Sequence, residues 1–238
     1  MFEIIDLIQR SPDWFKWRNG GITASDISKI RNPSSMTFAN LLKEKLGIFE
    51  EKIDERTPEE KRAAFYQMQS IQKNGDFGEK ILGQVFFEKT GKRLQPFCIQ
   101  SKKNPQYRAS LDGFDFEFGP FEFKFTKDAK KFKKFKDGVF RANSLDPYVN
   151  ADYLYQVNWI LMLTGFEQIT VGMAYENEQG KIEVFFREFK KNNSLIKESI
   201  KMADRFLAYL NAKNIPGIGH ISRIKPEIKI IEGGNNNG

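Results

Sequence analysis

At 238 residues, with 40% hydrophobic and 14% aromatic content, the chain can bury a sizeable core in one domain. One cysteine, Cys98, excludes an internal disulfide and any multi-thiolate zinc or iron–sulfur centre. The formal charge of +7 suits a polyanionic partner, and with no membrane-length apolar run and no leader at Met1 the protein is expected to be soluble and to stay in the cytoplasm.

In chain order, Ser11-Pro12-Asp13 predicts a helix start with Ser11 as cap, leading through Trp14, Phe15, Trp17 and Arg18 to a stop at Asn19-Gly20-Gly21. Thr23-Ala24-Ser25-Asp26 opens a short helix through Ile30, where free backbone N–H groups with Ser25 and Arg18 could cradle a phosphate; plain capping is the other reading. A third helix runs from Thr37 to Gly47. Residues 50–62 are charged and expected at the surface, and Thr57-Pro58-Glu59-Glu60 predicts another helix start. That pattern reaches Thr90 with an expected interruption at Gly75, the second part carrying Phe77, Leu82 and Phe86 on its apolar face and Glu79 at its margin.

Extended segments are predicted over residues 94–100, 107–118 and 121–125, with Gly119-Pro120 as the turn before the last. Six lysines between Lys127 and Lys136 form an amphipathic stretch with Phe132 and Phe135 on one side, suited to a phosphate backbone or to solvent. Asp146-Pro147 predicts the start of a long helix through Tyr153, Gln156, Trp159 and Leu163. Strands over 169–175 and 182–189, a closing helix over 194–213 and a flexible tail over 226–238 complete the chain.

The stretch Phe121-Glu122-Phe123-Lys124-Phe125 alternates aromatic and charged residues, placing three phenylalanines on one strand face and Glu122 and Lys124 on the other. Taken alone it also fits a strand with a solvated Glu/Lys face. The sole histidine, His220, lies near the end of the chain, which argues against chemistry built on paired histidines and leaves carboxylates and lysine as the reactive groups.

Five blocks together carry a family likeness: Trp17-Arg18-x-Gly-x-Ile22-Thr23-Ala24-Ser25, Gly75-x-x-x-Glu79, Ser110-x-Asp112-Gly113, Glu122-x-Lys124 and Tyr155-Gln156-Val157. Across residues 11–165 the chain resembles the lambda exonuclease and YqaJ-like viral recombinase family of the PD-(D/E)XK nuclease superfamily. The resemblance implies an α/β, restriction-endonuclease-like fold with a mixed central sheet flanked by helices. It implies a single exonuclease domain over 1–225, with its core at 75–190 and N-terminal helices at 11–73 helping to form the DNA-end pocket.

The implied activity is Mg2+-dependent 5′-to-3′ exonuclease digestion of linear double-stranded DNA from a 5′-phosphorylated end, supplying single strands for recombination by annealing. Asp112, Glu122 and the Phe123 carbonyl would bind one metal and Glu79 would complete a second site; Mn2+ would substitute for Mg2+. Lys124 would orient or deprotonate the attacking water. Arg18, Ser25, Ser110 and Gln156 would form the 5′-phosphate pocket. A homotrimer, a single-strand annealing protein as partner, and the cytosol of a bacterium or phage-infected host are also implied.

Two departures stand out. The proline usual before the catalytic aspartate is Leu111. In a hairpin centred on Gly119-Pro120, Asp115 and Glu117 would share the face of Glu122, and Asp112 would join them only through a bulge at Gly113. Rival readings are an endonuclease or repair nuclease on the same core, and a catalytically silent DNA-binding protein. The set Glu79, Asp112, Glu122 and Lys124 argues against the last, since binding alone needs no buried carboxylates beside phosphates.

Overall fold

The computed structural model describes residues 2–48, 57–138, 151–215 and 219–220. The expected helix start at Asp146-Pro147, the tail over 226–238 and the first part of the charged segment at 50–62 lie outside them. Strand β1 (Phe2–Ile5) precedes everything the sequence patterns marked, and is followed by helix α1 (Pro12–Asn19), whose Ser11 cap accepts from the Trp14 N–H. Strand β2 (Ile22–Thr23) leads directly into a 3-10 helix, Ala24–Ile30, and then helix α2 (Met36–Lys45). Gly21 makes β2 possible: a Cβ there would lie 2.3 Å from the Gln106 carbonyl oxygen, which accepts the Ile22 N–H at 2.7 Å.

Helix α3 (Pro58–Thr90) begins with a capping box between Thr57 and Glu60 and ends at Gly91 in the left-handed region, φ 71°. It runs unbroken through Gly75, contrary to the expected interruption. A helical glycine costs only about 1 kcal/mol, too little to break a helix whose second half is anchored by buried Leu82 and Phe86. Gly78, three residues on, has the decisive role. A Cβ there would meet the Phe125 Cβ at 2.6 Å, so this glycine lets α3 lie close on the strand below it.

Strands β3 (Phe97–Ser101), β4 (Tyr107–Leu111), β5 (Gly113–Asp115) and β6 (Gly119–Thr126) come next, then helices α4 (Ala129–Asp137) and α5 (Ala151–Thr164). Strands β7 (Gln168–Glu176) and β8 (Ile182–Lys190), helix α6 (Asn193–Asn211) and the short pair β9 (Asn214–Ile215) and β10 (Gly219–His220) end the described chain. The expected mixed β-structure takes the form, among the described residues, of two four-stranded mixed sheets, ordered β1-β3-β4-β2 and β5-β6-β7-β8. Each has one parallel pair, β2 with β4 and β6 with β7. The chain passes from one sheet to the other through a bend at Asp112, and that bend interrupts the ladder.

The hairpin turn is also displaced from its expected place. It occupies Phe116–Phe118, while Gly119 and Pro120 belong to β6 and pair with Asp115 and Phe114. Gly119, with φ 83°, takes the left-handed conformation that closes such a turn. The register Gly113 to Phe121 therefore brings the neighbouring Asp112 abreast of Glu122, and no bulge at Gly113 is needed. Asp115 falls on the opposite face, and Glu117 lies in the turn itself.

Phe121 and Phe123 of β6 pack under Leu82 and Phe86 of α3. The other face of β6 is partly covered by α5, whose Gln156 reaches Glu122 at 2.7 Å. The larger core gathers α5, through Trp159, Ile160 and Leu161, against Ile27, Phe38, Phe206 and the strands. Glu122 is consequently only 2% exposed. Among the described residues no helix is long and apolar enough to cross a membrane.

Candidate active site

A cavity of about 180 Å³ opens where α1, β2, the start of the 3-10 helix, α3, the bend at Asp112, β6 and α5 converge. Its wall includes Arg18, Ser25, Glu79, Ser110, Asp112, Glu122 and Gln156, seven of the residues singled out from sequence and drawn from most of the chain. Lys124 and Phe123 adjoin it through contacts with Glu122 and Asp112. Asp115 and Glu117 are elsewhere: Asp115 accepts two backbone N–H bonds within the hairpin turn, and Glu117 pairs with Lys92.

The acidic side of the cavity is tightly wired. Asp112 Oδ2 accepts the Phe123 N–H at 2.8 Å. Glu122 Oε1 accepts from Gln156 Nε2 at 2.7 Å and pairs with the Lys124 ammonium, while its buried Oε2 has no hydrogen-bond partner among the described residues. Gln156, expected among the phosphate ligands, thus binds a carboxylate here, in the same pocket as Arg18, Ser25 and Ser110. Burial and the charge of Glu122 push the Asp112 carboxyl well above the usual carboxylate range. Burial also raises Glu79, with the Arg10 guanidinium opposing it.

Burial pulls Lys124 down, but Glu122 and Asp112 outweigh it and hold the ammonium above the ordinary lysine range. That ammonium lies 5.2 Å from the centre of the Tyr153 ring, a cation–π distance. In this arrangement Lys124 is a proton donor and a charge; it has no lone pair with which to take a proton.

The basic side is built differently. Arg18 lies over the Trp14 ring at 4.6 Å and donates to Ser25 Oγ at 2.9 Å and Thr23 Oγ1 at 3.3 Å. Its partners are hydroxyls, and among the described residues no carboxylate neutralises it. Trp14 Nε1 in turn donates to Ser110 Oγ at 2.9 Å. A guanidinium and two serine hydroxyls on one wall, with the Ser110 hydroxyl held by the indole N–H, make a site for an oxyanion.

Sequence reasoning missed Gln9 and Arg10. Gln9 fixes the bend by donating to the Leu111 carbonyl at 2.9 Å. Arg10 has φ 70°, rare for a residue with a side chain, and its guanidinium reaches Asp76 and, at 3.0 Å, Glu79. No sequence signal marks a left-handed arginine, so only the fold could find it.

The donor set suits a hard divalent ion in part. Two adjacent carboxylates, one with an unpartnered buried oxygen, fit Mg2+, which uses one or two protein carboxylates and keeps several waters. Glu79 is held by Arg10 instead, and among the described residues no group of three or more His, Cys, Asp or Glu side chains is arranged to hold a metal ion.

The chain belongs to the YqaJ-like viral recombinase domain family, whose model matches residues 13–167. Among solved structures it is similar to an alkaline exonuclease, LHK-Exo, from Laribacter hongkongensis, at 17% identity and a TM-score of 0.58 over 85% of this chain and 94% of that one. LHK-Exo in complex with dAMP gives 0.59 over the same shares of the two chains at the same identity. A phage-related exonuclease from Haemophilus somnus 129PT matches at 13% identity and 0.53, over 80% and 93%. The likeness establishes a common α/β fold. No curated protein sequence matches.

Proposed function

We propose that the protein is a divalent-metal-dependent exonuclease that degrades one strand of linear double-stranded DNA in the 5′-to-3′ direction from a 5′-phosphorylated end. The observation that carries this reading is the division of one small cavity into an acidic wall, Asp112 and Glu122, and a wall where Arg18 has only hydroxyl partners. A small, partly open recess of about 180 Å³ suits a terminal phosphate.

Asp112, Glu122 and the Phe123 carbonyl would hold one Mg2+ or Mn2+, and Glu79 a second once Arg10 releases it. The metal would polarise the scissile phosphate and acidify the attacking water. Arg18, Ser25 and Ser110 would bind the end phosphate, and Gln156 would span the two walls. Lys124, already protonated, would orient water and offset charge; this supports the orienting role over the deprotonating one. The exposed lysines of α4 would attract the duplex. Association as a trimer and work beside a single-strand annealing protein belong to the same proposal, as does the role in recombination.

LHK-Exo has been solved with dAMP, and a 5′-mononucleotide is the product class that 5′-to-3′ digestion would release. The reading is tested by incubating the protein with linear duplex and with covalently closed circle, in Mg2+ and in EDTA. Linear duplex should release mononucleotides and leave single-stranded DNA in Mg2+, and stay intact in EDTA. Cleavage of the closed circle would overturn the exonuclease reading in favour of an endonuclease.

A further inference from the structure

Behind the basic wall lies a buried ion pair that does not itself line the cavity. Asp26 and Lys45, whose side chains are 4% and 3% exposed, meet at 2.9 Å. The same Asp26 Oδ2 accepts the Thr23 backbone N–H at 3.0 Å and the Thr23 hydroxyl at 2.7 Å, and Lys45 also donates to the Arg18 carbonyl at 3.1 Å.

Hydrogen-bond polarity follows from these contacts. An ionised carboxylate can only accept, so Thr23 must donate its single hydroxyl proton to Asp26. Thr23 Oγ1 is then an acceptor alone, 3.3 Å from Arg18 Nη2 and 3.2 Å from Ser25 Oγ. Ser25, accepting from Arg18, is then the donor in its 3.2 Å bond with Thr23 Oγ1, a long bond that an incoming oxyanion can outcompete. The result is a guanidinium steadied by neutral acceptors and a serine whose donor can turn toward an incoming oxyanion.

We infer that the Lys45–Asp26 pair is the positioning device of the end-phosphate pocket, fixing through Thr23 the orientation of Arg18 and Ser25 and sparing the pocket an uncompensated negative charge. This rests on the proposed phosphate role of that wall. Without Lys45, the buried Asp26 carboxylate, one hydroxyl away from Arg18, would keep only the half-exposed Lys29, at 4.0 Å from Oδ1, and would oppose a phosphate electrostatically. Burial pushes the Asp26 carboxyl up, yet the charge of Lys45 and the Thr23 donors outweigh it and hold it below the usual range, so the carboxylate form assumed above is the one present at neutral pH.

The test compares matched duplexes with 5′-phosphate and 5′-hydroxyl ends, using wild type, Lys45→Met, Lys45→Arg and Thr23→Val, with circular dichroism confirming folding. Lys45→Met should lower the phosphate-to-hydroxyl ratio of kcat/KM at least tenfold, through KM for phosphorylated ends rather than kcat. Lys45→Arg should restore most of it. Thr23→Val, which removes the hydroxyl while keeping the shape, should repeat the loss and decides the matter if Lys45→Met does not fold. A folded Thr23→Val or Lys45→Met with the wild-type ratio would overturn the inference, as would an equal loss on both kinds of end. Absence of any preference in the wild type would instead remove the phosphate pocket itself, and the inference with it.

Discussion

Asp112 and Glu122 stand side by side in an enclosed wall with Lys124 as the cation that balances Glu122. Replacing Lys124 by Ala should reduce hydrolysis by about 10²- to 10⁴-fold, the usual range for a group that manages the reacting proton or water, while DNA retention in a gel-shift assay persists; undiminished turnover would exclude a catalytic role. Asp112 carries the opposite burden. Its folded pKa is raised, so its favourable contribution is complete below the ordinary value of 3.8 and disappears as pH rises through the raised one. At neutral pH without metal, the ionised carboxylate is a cost. Asp112→Asn should therefore melt higher than wild type in EDTA, by roughly 2–4 °C per kcal/mol relieved, while losing nuclease activity. A lower melting temperature would contradict the assigned repulsion. Among single residues, the carboxylates and the Arg18 wall were legible as motif members, but Arg10 was not, because its place depends on a left-handed backbone and a partner 69 positions away.

At the scale of elements, two glycines on α3 separate what local sequence reveals from what it hides. Gly75 looked like a break and is an ordinary helical residue in open space; Gly78, which no sequence pattern marked, sets how closely α3 approaches β6. Gly75→Ala should raise stability by up to about 1 kcal/mol in urea unfolding. Gly78→Ala should lower it by about 1–3 kcal/mol and reduce activity, because Glu79 moves with the helix. Equal effects at the two positions would refute this assignment. Helix starts at Ser11, Thr57 and the alternation of β6 were readable because caps and period-2 patterns are local. The hairpin was not: its true turn at Phe116–Phe118 has no Pro-Gly signal, and a turn displaced by an odd number of pairing steps exchanges the two strand faces. That exchange is what delivers Asp112, and not Asp115, to Glu122.

Across the whole molecule, the positive balance of the chain and the lysine-covered face of α4, seated on buried Phe132 and Phe135, are features that attract a polyanion. The α/β class and the order of the site residues along the chain were legible because five motif blocks share one spacing pattern. The split into two sheets at Asp112 and the entry of β1 as an edge strand were not, since they depend on long-range pairing. If Arg18 and its hydroxyl partners read a 5′-terminal phosphate beside a metal-dependent cutting site, the initial rates on two linear duplexes identical but for a 5′-phosphate or 5′-hydroxyl will differ. Wild type should digest the phosphorylated end faster, at least about tenfold for one lost charge-assisted contact of 1.5–3 kcal/mol, and Arg18→Ala should show no preference. Equal rates on both ends by wild type, or an undiminished preference in Arg18→Ala, would contradict this reading.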